Sequence, residues 1–148
     1  MSDQILHTND FRLSYGECDP AGIVYYASYY PWFERTFNEW TFLNGFPPDR
    51  IAELWGATFV SRASSCEYLI PGRVFDPFTC QMRLGHVGTT SYSMKYDIVH
   101  RDNGDTYATG RMNFVFIDDQ FPPKPVAVPE GLKIELRARG YDVPGHHV

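Results

Sequence analysis

Only one stretch of this chain carries the period of a long helix. In "SYYPWFERTFNEWTFLNGF", residues 28–46, Phe33, Phe37, Trp40 and Leu43 fall three and four apart, while Glu34, Arg35, Asn38 and Glu39 take the other faces. The spacing predicts a helix of about four to five turns that starts near Ala27 or Ser28 and stops at Gly45. Pro31 is compatible with that start. The first four N–H groups of a helix have no partner inside it, so a proline in the first turn removes nothing that was paired.

Most of the remaining chain alternates with a period of two, the mark of a strand with one buried face. Phe11, Leu13 and Tyr15 alternate with Arg12 and Ser14; Phe78, Cys80, Met82 and Leu84 alternate with Thr79, Gln81 and Arg83. Tyr92, Met94, Tyr96 and Ile98 do the same further on. Around Met112, Phe114 and Phe116 both alternating sets are largely apolar, as in a strand covered on both faces. The run Thr58–Ile70, ended by Pro71 and Gly72, reads as a central strand. Asn103-Gly104-Asp105 reads as a hairpin turn needing positive φ. A proline-rich tail follows, and "EGLKIELRARG" predicts a turn or two of terminal helix.

One helix and one antiparallel sheet must bury each other, because neither has another apolar partner. Residues 1–148 therefore read as a single α+β domain, with the helix packed across a curved sheet and no repeat or linker. Ten Tyr, eleven Phe and three Trp, each able to bury on the order of 150–250 Å², fill a core and leave a surplus for a subunit interface.

The net charge of −5 is wrong for a nucleic-acid binder, which needs a basic face. No apolar run approaches the ~20 residues of a membrane helix, and "MSDQILHTND" lacks the features of a secretion signal. Cys18, Cys66 and Cys80 have no metal-site spacing. Reduced thiols in a cytoplasmic protein, with no metal, are the expectation.

The chemistry concentrates in "YGECDPAGIVYY", Tyr15 to Tyr26. "DPAG" is a good β-turn, with Asp at the first position, Pro at the second and Gly at the fourth. The same segment sits between a strand end and the start of the long helix. Free N–H groups and the positive end of the helix dipole gather there, where a carbonyl oxygen gaining negative charge is stabilised. A carboxylate beside such donors completes the equipment for acyl transfer. Spacing alone leaves both readings open. Cys18 would need a histidine to act as a nucleophile, and no sequence feature brings His7, His86 or His100 to it. Glu17, two residues from Asp19 and thus able to point the same way in an extended segment, is a second candidate for the base. Ser61, Ser64 and Ser65 lack the setting of a nucleophile and read as packing residues. His146 and His147 read as a solvated tail.

"GECDPAGIVYYASYYPWFE" followed by "NGFPP" resembles the 4-hydroxybenzoyl-CoA thioesterase branch of the hotdog-fold thioesterases, along almost the whole chain. The resemblance implies a five-stranded antiparallel sheet wrapped around one long helix, a homodimer or homotetramer, and sites at the subunit interface. It implies hydrolysis of an acyl-CoA, an aryl-CoA such as 4-hydroxybenzoyl-CoA favoured, with coenzyme A as part of the substrate and no cofactor. By the same resemblance Asp19 is the catalytic carboxylate, as nucleophile or general base, and the Tyr26 backbone N–H polarises the carbonyl. Glu34 stands where that branch has an acid directed at the substrate hydroxyl, and is one methylene longer; Tyr25 and Phe33 join it in the substrate pocket. The hairpin segment "GHVGTTSY" holds His86 where the family is often basic. The coenzyme A phosphates are therefore assigned to Arg83, Lys95 and Arg101, or to a partner subunit. A thioesterase for acyl carrier protein and a non-catalytic acyl- or aryl-binding module are the alternatives. A hotdog dehydratase, which wants an Asp/His pair, ranks last.

Overall fold

The computed structural model describes residues 4–143. Five strands, β1 (Ile5–Arg12), β2 (Thr58–Tyr68), β3 (Pro77–Val87), β4 (Ser91–His100) and β5 (Thr106–Ile117), form one sheet. Helices α1 (Tyr30–Leu43), α2 (Ile51–Trp55) and α3 (Glu130–Ala138) complete the regular structure. The strand order is β1-β3-β4-β5-β2, with every neighbouring pair antiparallel. His146 and His147 lie outside the described residues.

The alternation read from sequence is the core. Phe78, Cys80, Met82, Met94 and Ile98 are fully buried, and Tyr92 and Tyr96 nearly so. Phe33, Phe37 and Trp40 of α1 press onto this face; Phe33 stacks on Tyr96 at 4.7 Å and Phe37 on Phe114 at 5.6 Å between ring centroids. Each such side chain contributes roughly 1.5–3 kcal/mol through burial. The helix thus lies in the concave side of the sheet, as expected for the hotdog arrangement.

Four expectations need correction. Thr58–Tyr68 is an edge strand, paired to β5 alone and exposed along nearly its whole length. Its small residues look the same in sequence whether the strand is covered or bare, so composition misplaced it. Ser61, Ser64 and Ser65 are accordingly exposed rather than packed. Leu43, at the end of the helical stripe, is 64% exposed, and Tyr15, beyond the end of β1, is 79% exposed. Finally, α1 begins at Tyr30, two to three residues later than the spacing suggested, because residues 26–29 form turns first. Pro31 does fall in the first helical turn.

Other details follow the sequence. Gly45 and Gly104 both have positive φ, at the helix stop and in the β4–β5 hairpin. The tail forms α3, whose Leu132 and Leu136 are buried. The short α2 after Pro47 and Pro48 had no sequence signal beyond a chain break.

Candidate active site

The segment between β1 and α1 is a closed loop built from its own hydrogen bonds. Cys18 and Val24 form an antiparallel bridge, and the Asp19 N–H donates to the Ile23 carbonyl at 2.8 Å. Within this ring the Asp19 Oδ1 accepts the Ala21 N–H at 2.8 Å and the Ile23 N–H at 3.4 Å. The Gly22 N–H returns to the Asp19 carbonyl at 2.9 Å, with Gly22 at φ +77°, a conformation that costs glycine nothing. The β-turn read from "DPAG" is therefore present. The turn fixes one carboxylate oxygen, while Oδ2 has no hydrogen-bond partner among the described residues and the side chain is exposed.

Glu17 fastens this loop to α1. Its Oε2 accepts the Trp32 Nε1–H at 2.7 Å, and its Oε1 accepts the Ser14 N–H at 2.9 Å. Its backbone carbonyl accepts the Tyr25 N–H at 2.9 Å and the Ser28 hydroxyl at 2.8 Å. With both side-chain oxygens engaged, Glu17 is a brace beside Asp19. Trp32 in turn stacks on Phe11 at 4.2 Å, so the brace reaches into β1.

A second brace comes from a distant segment. Ile23 bridges to Arg73, the Val24 N–H donates to the Gly72 carbonyl at 2.8 Å, and the Val74 N–H to the Gly22 carbonyl at 3.1 Å. That segment is held by Asp76, whose Oδ2 accepts the Arg73 N–H at 2.9 Å and whose Oδ1 lies 3.6 Å from the His100 Nε2. The His100 Nδ1 accepts the Asp102 N–H, leaving the proton of the neutral ring on Nε2, facing Asp76. Asp76 and its approach to His100 escaped the sequence reading, since residues 76 and 100 meet only through the sheet.

Tyr25 donates its N–H to Glu17, but the N–H groups of Tyr26 and Ala27, at the head of the turns entering α1, have no acceptor among the described residues. The Tyr25 and Tyr26 rings lie 4.4 Å apart and are both largely exposed. Phe33 is fully buried against the sheet, so its part here is to anchor α1 rather than to offer a surface. Glu34 lines a hollow of about 400 Å³ between α1 and β2–β5, together with Tyr30, Asn38, Phe59, Ser61 and Phe114. Glu34 and Asn38, one turn apart, are its polar wall on α1.

Cys18 is poorly suited to be a nucleophile. Burial, and then the neighbouring carboxylates of Glu17, Asp19 and Asp76, push its thiol up, away from the thiolate that reacts. Of the three basic residues expected at the coenzyme A phosphates, Arg83 and Lys95 are cross-strand partners on β3 and β4, while Arg101 follows the end of β4. Arg83 is paired with Asp97 at 2.6 Å, and Arg101 donates to the carbonyls of Phe78 and Phe11. Lys95 lines a separate hollow with Glu67, Asp97 and Arg111. Among the described residues no cluster of His, Cys, Asp and Glu is arranged to hold a metal, and no helix is long and apolar enough to cross a membrane.

A sheet of this order around one long helix, entered through a turn that fixes one carboxylate, is the arrangement of the hotdog-fold thioesterases. The model of the thioesterase-like superfamily matches residues 13–136, and the chain belongs to that family. It is 29% identical over 127 residues to the acyl-CoA thioester hydrolase YbgC of Escherichia coli, covering 85% of this chain and 92% of the relative. A stretch of 51 residues is 35% identical to 4-hydroxybenzoyl-CoA thioesterase of Pseudomonas sp. strain CBS-3, covering 34% of this chain and 32% of that one. The structure of that enzyme superposes with a TM-score of 0.75 at 21% identity, covering 87% of this chain and 96% of the other. The BH1999 gentisyl-coenzyme A thioesterase superposes with a TM-score of 0.73 at 21% identity, covering 85% and 98%. At that identity the superpositions establish the shared fold.

Proposed function

We propose that this protein hydrolyses an aryl-CoA thioester, with Asp19 as the reacting carboxylate and the Tyr26 N–H as the donor to the carbonyl oxygen. The observation that carries this reading is the pairing of a turn-fixed carboxylate with unsatisfied N–H groups at the entrance to α1. Such donors stabilise the oxyanion that forms as the carbonyl carbon becomes tetrahedral. Asp19 either attacks that carbon, releasing the thiolate and leaving a mixed anhydride that water then cleaves, or takes the proton of a water that attacks instead. In the pocket, Glu34 accepts a hydrogen bond from a hydroxyl on the aryl ring, and Phe59, Phe114 and Tyr30 supply apolar walls.

The exposed edge of β2 supports a further part of the reading. The free side of this eleven-residue strand, where alternate residues present unpaired backbone groups, forms a template for strand addition. A second copy, adding its own β2 antiparallel across a two-fold axis, satisfies both edges at once. Sedimentation at micromolar concentration is expected to give twice the monomer mass, and a monomer mass overturns this part.

The test of the activity is thiol release from a panel of aryl- and fatty-acyl-CoA thioesters. Asp19→Asn keeps the acceptor that holds the turn and removes nucleophile and base alike. Turnover is expected to fall by at least ~10² with the melting temperature unchanged. Full turnover in this variant overturns the assignment. Glu34→Ala is expected to weaken kcat/KM for hydroxylated aryl thioesters by roughly 1.5–3 kcal/mol more than for unhydroxylated ones. An equal loss on both makes Glu34 a solvated surface residue.

A further inference from the structure

Residues 72–76, between β2 and β3, grip the Asp19 loop at both of its ends. Upstream of Asp19, the Leu13 N–H donates to the Asp76 carbonyl at 3.0 Å and the Phe75 N–H to the Leu13 carbonyl at 2.8 Å. Downstream, the Val24 N–H donates to the Gly72 carbonyl at 2.8 Å, and Ile23 bridges to Arg73. Val24 stands two residues before Tyr26, and Glu17 takes the Tyr25 N–H between them. Where Val24 is pinned therefore sets how far the Tyr26 N–H lies from the Asp19 carboxylate. The head of α1 is touched as well. A Cβ on Gly72 would run into the Tyr29 hydroxyl, so a bare backbone is what lets the segment come this close.

The segment is held in a costly shape. Phe75 has φ +71°, and among the described residues it is the one non-glycine residue with a positive φ. A side chain with a Cβ stays in that conformation only where its surroundings over-determine it. Two bonds do so here. The Leu13 carbonyl accepts the Phe75 N–H, and the Arg12 guanidinium donates to the Phe75 carbonyl at 2.7 Å. The Phe75 ring is 60% exposed, so packing of the ring does not account for the conformation. The course of the backbone does.

Asp76 joins this segment to the sheet. Its Oδ2 accepts the Arg73 N–H at 2.9 Å and its own N–H donates to the Arg73 carbonyl at 3.0 Å, which closes residues 73–76 as a turn. Its Oδ1 lies 3.6 Å from the His100 Nε2. His100 is buried against Phe78 and Tyr107, at 5.5 and 5.1 Å between ring centroids. Arg101 beside it donates to the carbonyls of Pro77, Phe78 and Phe11. The carboxylate is thus set between a turn that reaches the loop and a strand end anchored in the sheet. Its charge is felt inside the loop too. After burial and the carboxylates of Glu17 and Asp19, Asp76 adds to the upward push on the Cys18 thiol.

We infer that Asp76, backed by His100, is a positioning residue for thioester hydrolysis: by fixing residues 72–76 it sets the separation of the Asp19 carboxylate from the N–H groups at the head of α1. Neither Asp76 nor His100 lines the hollow that holds Glu34, so the effect falls on the chemical step rather than on binding. An error of about 1 Å in such a separation costs on the order of 10² in rate. The kinetic role rests on the reading of Asp19 as the reacting carboxylate; the grip on the loop does not.

The test measures kcat and KM on the acyl-CoA of the panel that the wild type cleaves fastest and, without substrate, amide hydrogen exchange in residues 19–25. Asp76→Ala is expected to lower kcat by about tenfold or more with KM little changed. It is also expected to speed exchange in residues 19–25 and not in α3. Asp76→Asn keeps an oxygen for the Arg73 N–H and is expected to recover most of both. His100→Gln is expected to lower kcat by a smaller factor, to speed the same exchange, and to add nothing to Asp76→Ala, because it acts through Asp76. Leu136→Ala, buried on α3, is the control; it lowers the melting temperature and leaves kcat and loop exchange as they were. Should Asp76→Ala not fold, kcat and exchange in His100→Gln decide alone. A kcat loss no larger than in Leu136→Ala, a loss carried by KM, or unchanged exchange in residues 19–25 overturns the inference. Additive losses from His100→Gln and Asp76→Ala remove His100 from it. Full turnover in Asp19→Asn sinks the reading of Asp19 and the kinetic role with it, while faster exchange in Asp76→Ala still establishes the grip on the loop.

Discussion

β3 and β2 are each eleven residues long, and they behave as opposites. β3 lies between two neighbours, and its Phe78, Cys80 and Met82 are sealed under α1. β2 has one neighbour, no residue in the buried class, and Arg62 bulged out of its ladder. Stability resides in the β3–β4–β5 face and α1, while the free strand edge and the Asp19 loop lie at the margins. Low local stability is what binding and catalytic segments draw on.

Truncation is the sharpest way to break this contrast. Trp40→Ala, in the core, is expected to cost roughly 3–5 kcal/mol in a denaturant titration. Ser64→Ala or Ser65→Ala, on β2, should stay within about 0.5 kcal/mol. A large cost on β2 at protein concentrations that keep the chain monomeric would erase the distinction.

Next in size is the brace under the loop. Glu17→Ala removes the acceptor of both the Trp32 indole N–H and the Ser14 N–H. It is expected to destabilise by about 1.5–3 kcal/mol and to lower turnover by loosening Asp19. Glu17→Gln keeps an acceptor and should restore most of both. If Glu17→Gln is folded yet as inactive as Asp19→Asn, Glu17 is part of the chemistry and not a brace.

The core also carries a liability that the margins lack. The hydroxyls of Tyr29, Tyr92 and Tyr96 are buried without a hydrogen-bond partner among the described residues, and burial pushes all three up. A phenol whose folded value is raised keeps its proton in the native state after the unfolded chain has lost it. Its contribution is complete below the unfolded value and fades as pH rises beyond it. The melting temperature should therefore hold to about pH 9 and decline above roughly pH 10, where free tyrosine ionises. Tyr96→Phe should lessen the decline and cost little at neutral pH, because it deletes an unpaired polar atom. A melting temperature indifferent to pH up to 11 would contradict this.

The smallest effect is at Cys18. Its alkylation by iodoacetamide should have a midpoint above the ordinary cysteine value of about 8.5, because burial and nearby carboxylates raise it. In Asp19→Asn, which removes one of those carboxylates, the midpoint should move down. No movement would mean that Asp19 does not face the thiol.

The chain by itself determined the partition into one long helix and a sheet, because hydrophobic period is a local property. Alternation found the buried rows of β3, β4 and β5 residue by residue, and "DPAG" fixed the turn that holds Asp19. The tertiary structure alone decided the rest. Strand order depends on which elements meet after collapse, so the run Thr58–Tyr68 read as central and lies at the edge. Glu17 looked like a second base until Trp32 and Ser14 were seen at its oxygens. Asp76 and His100 stand behind the Asp19 loop because the sheet register aligns residues far apart in sequence. A carboxylate or guanidinium becomes a functional group only through what lies within a few ångströms of it, and pairing across strands sets that neighbourhood.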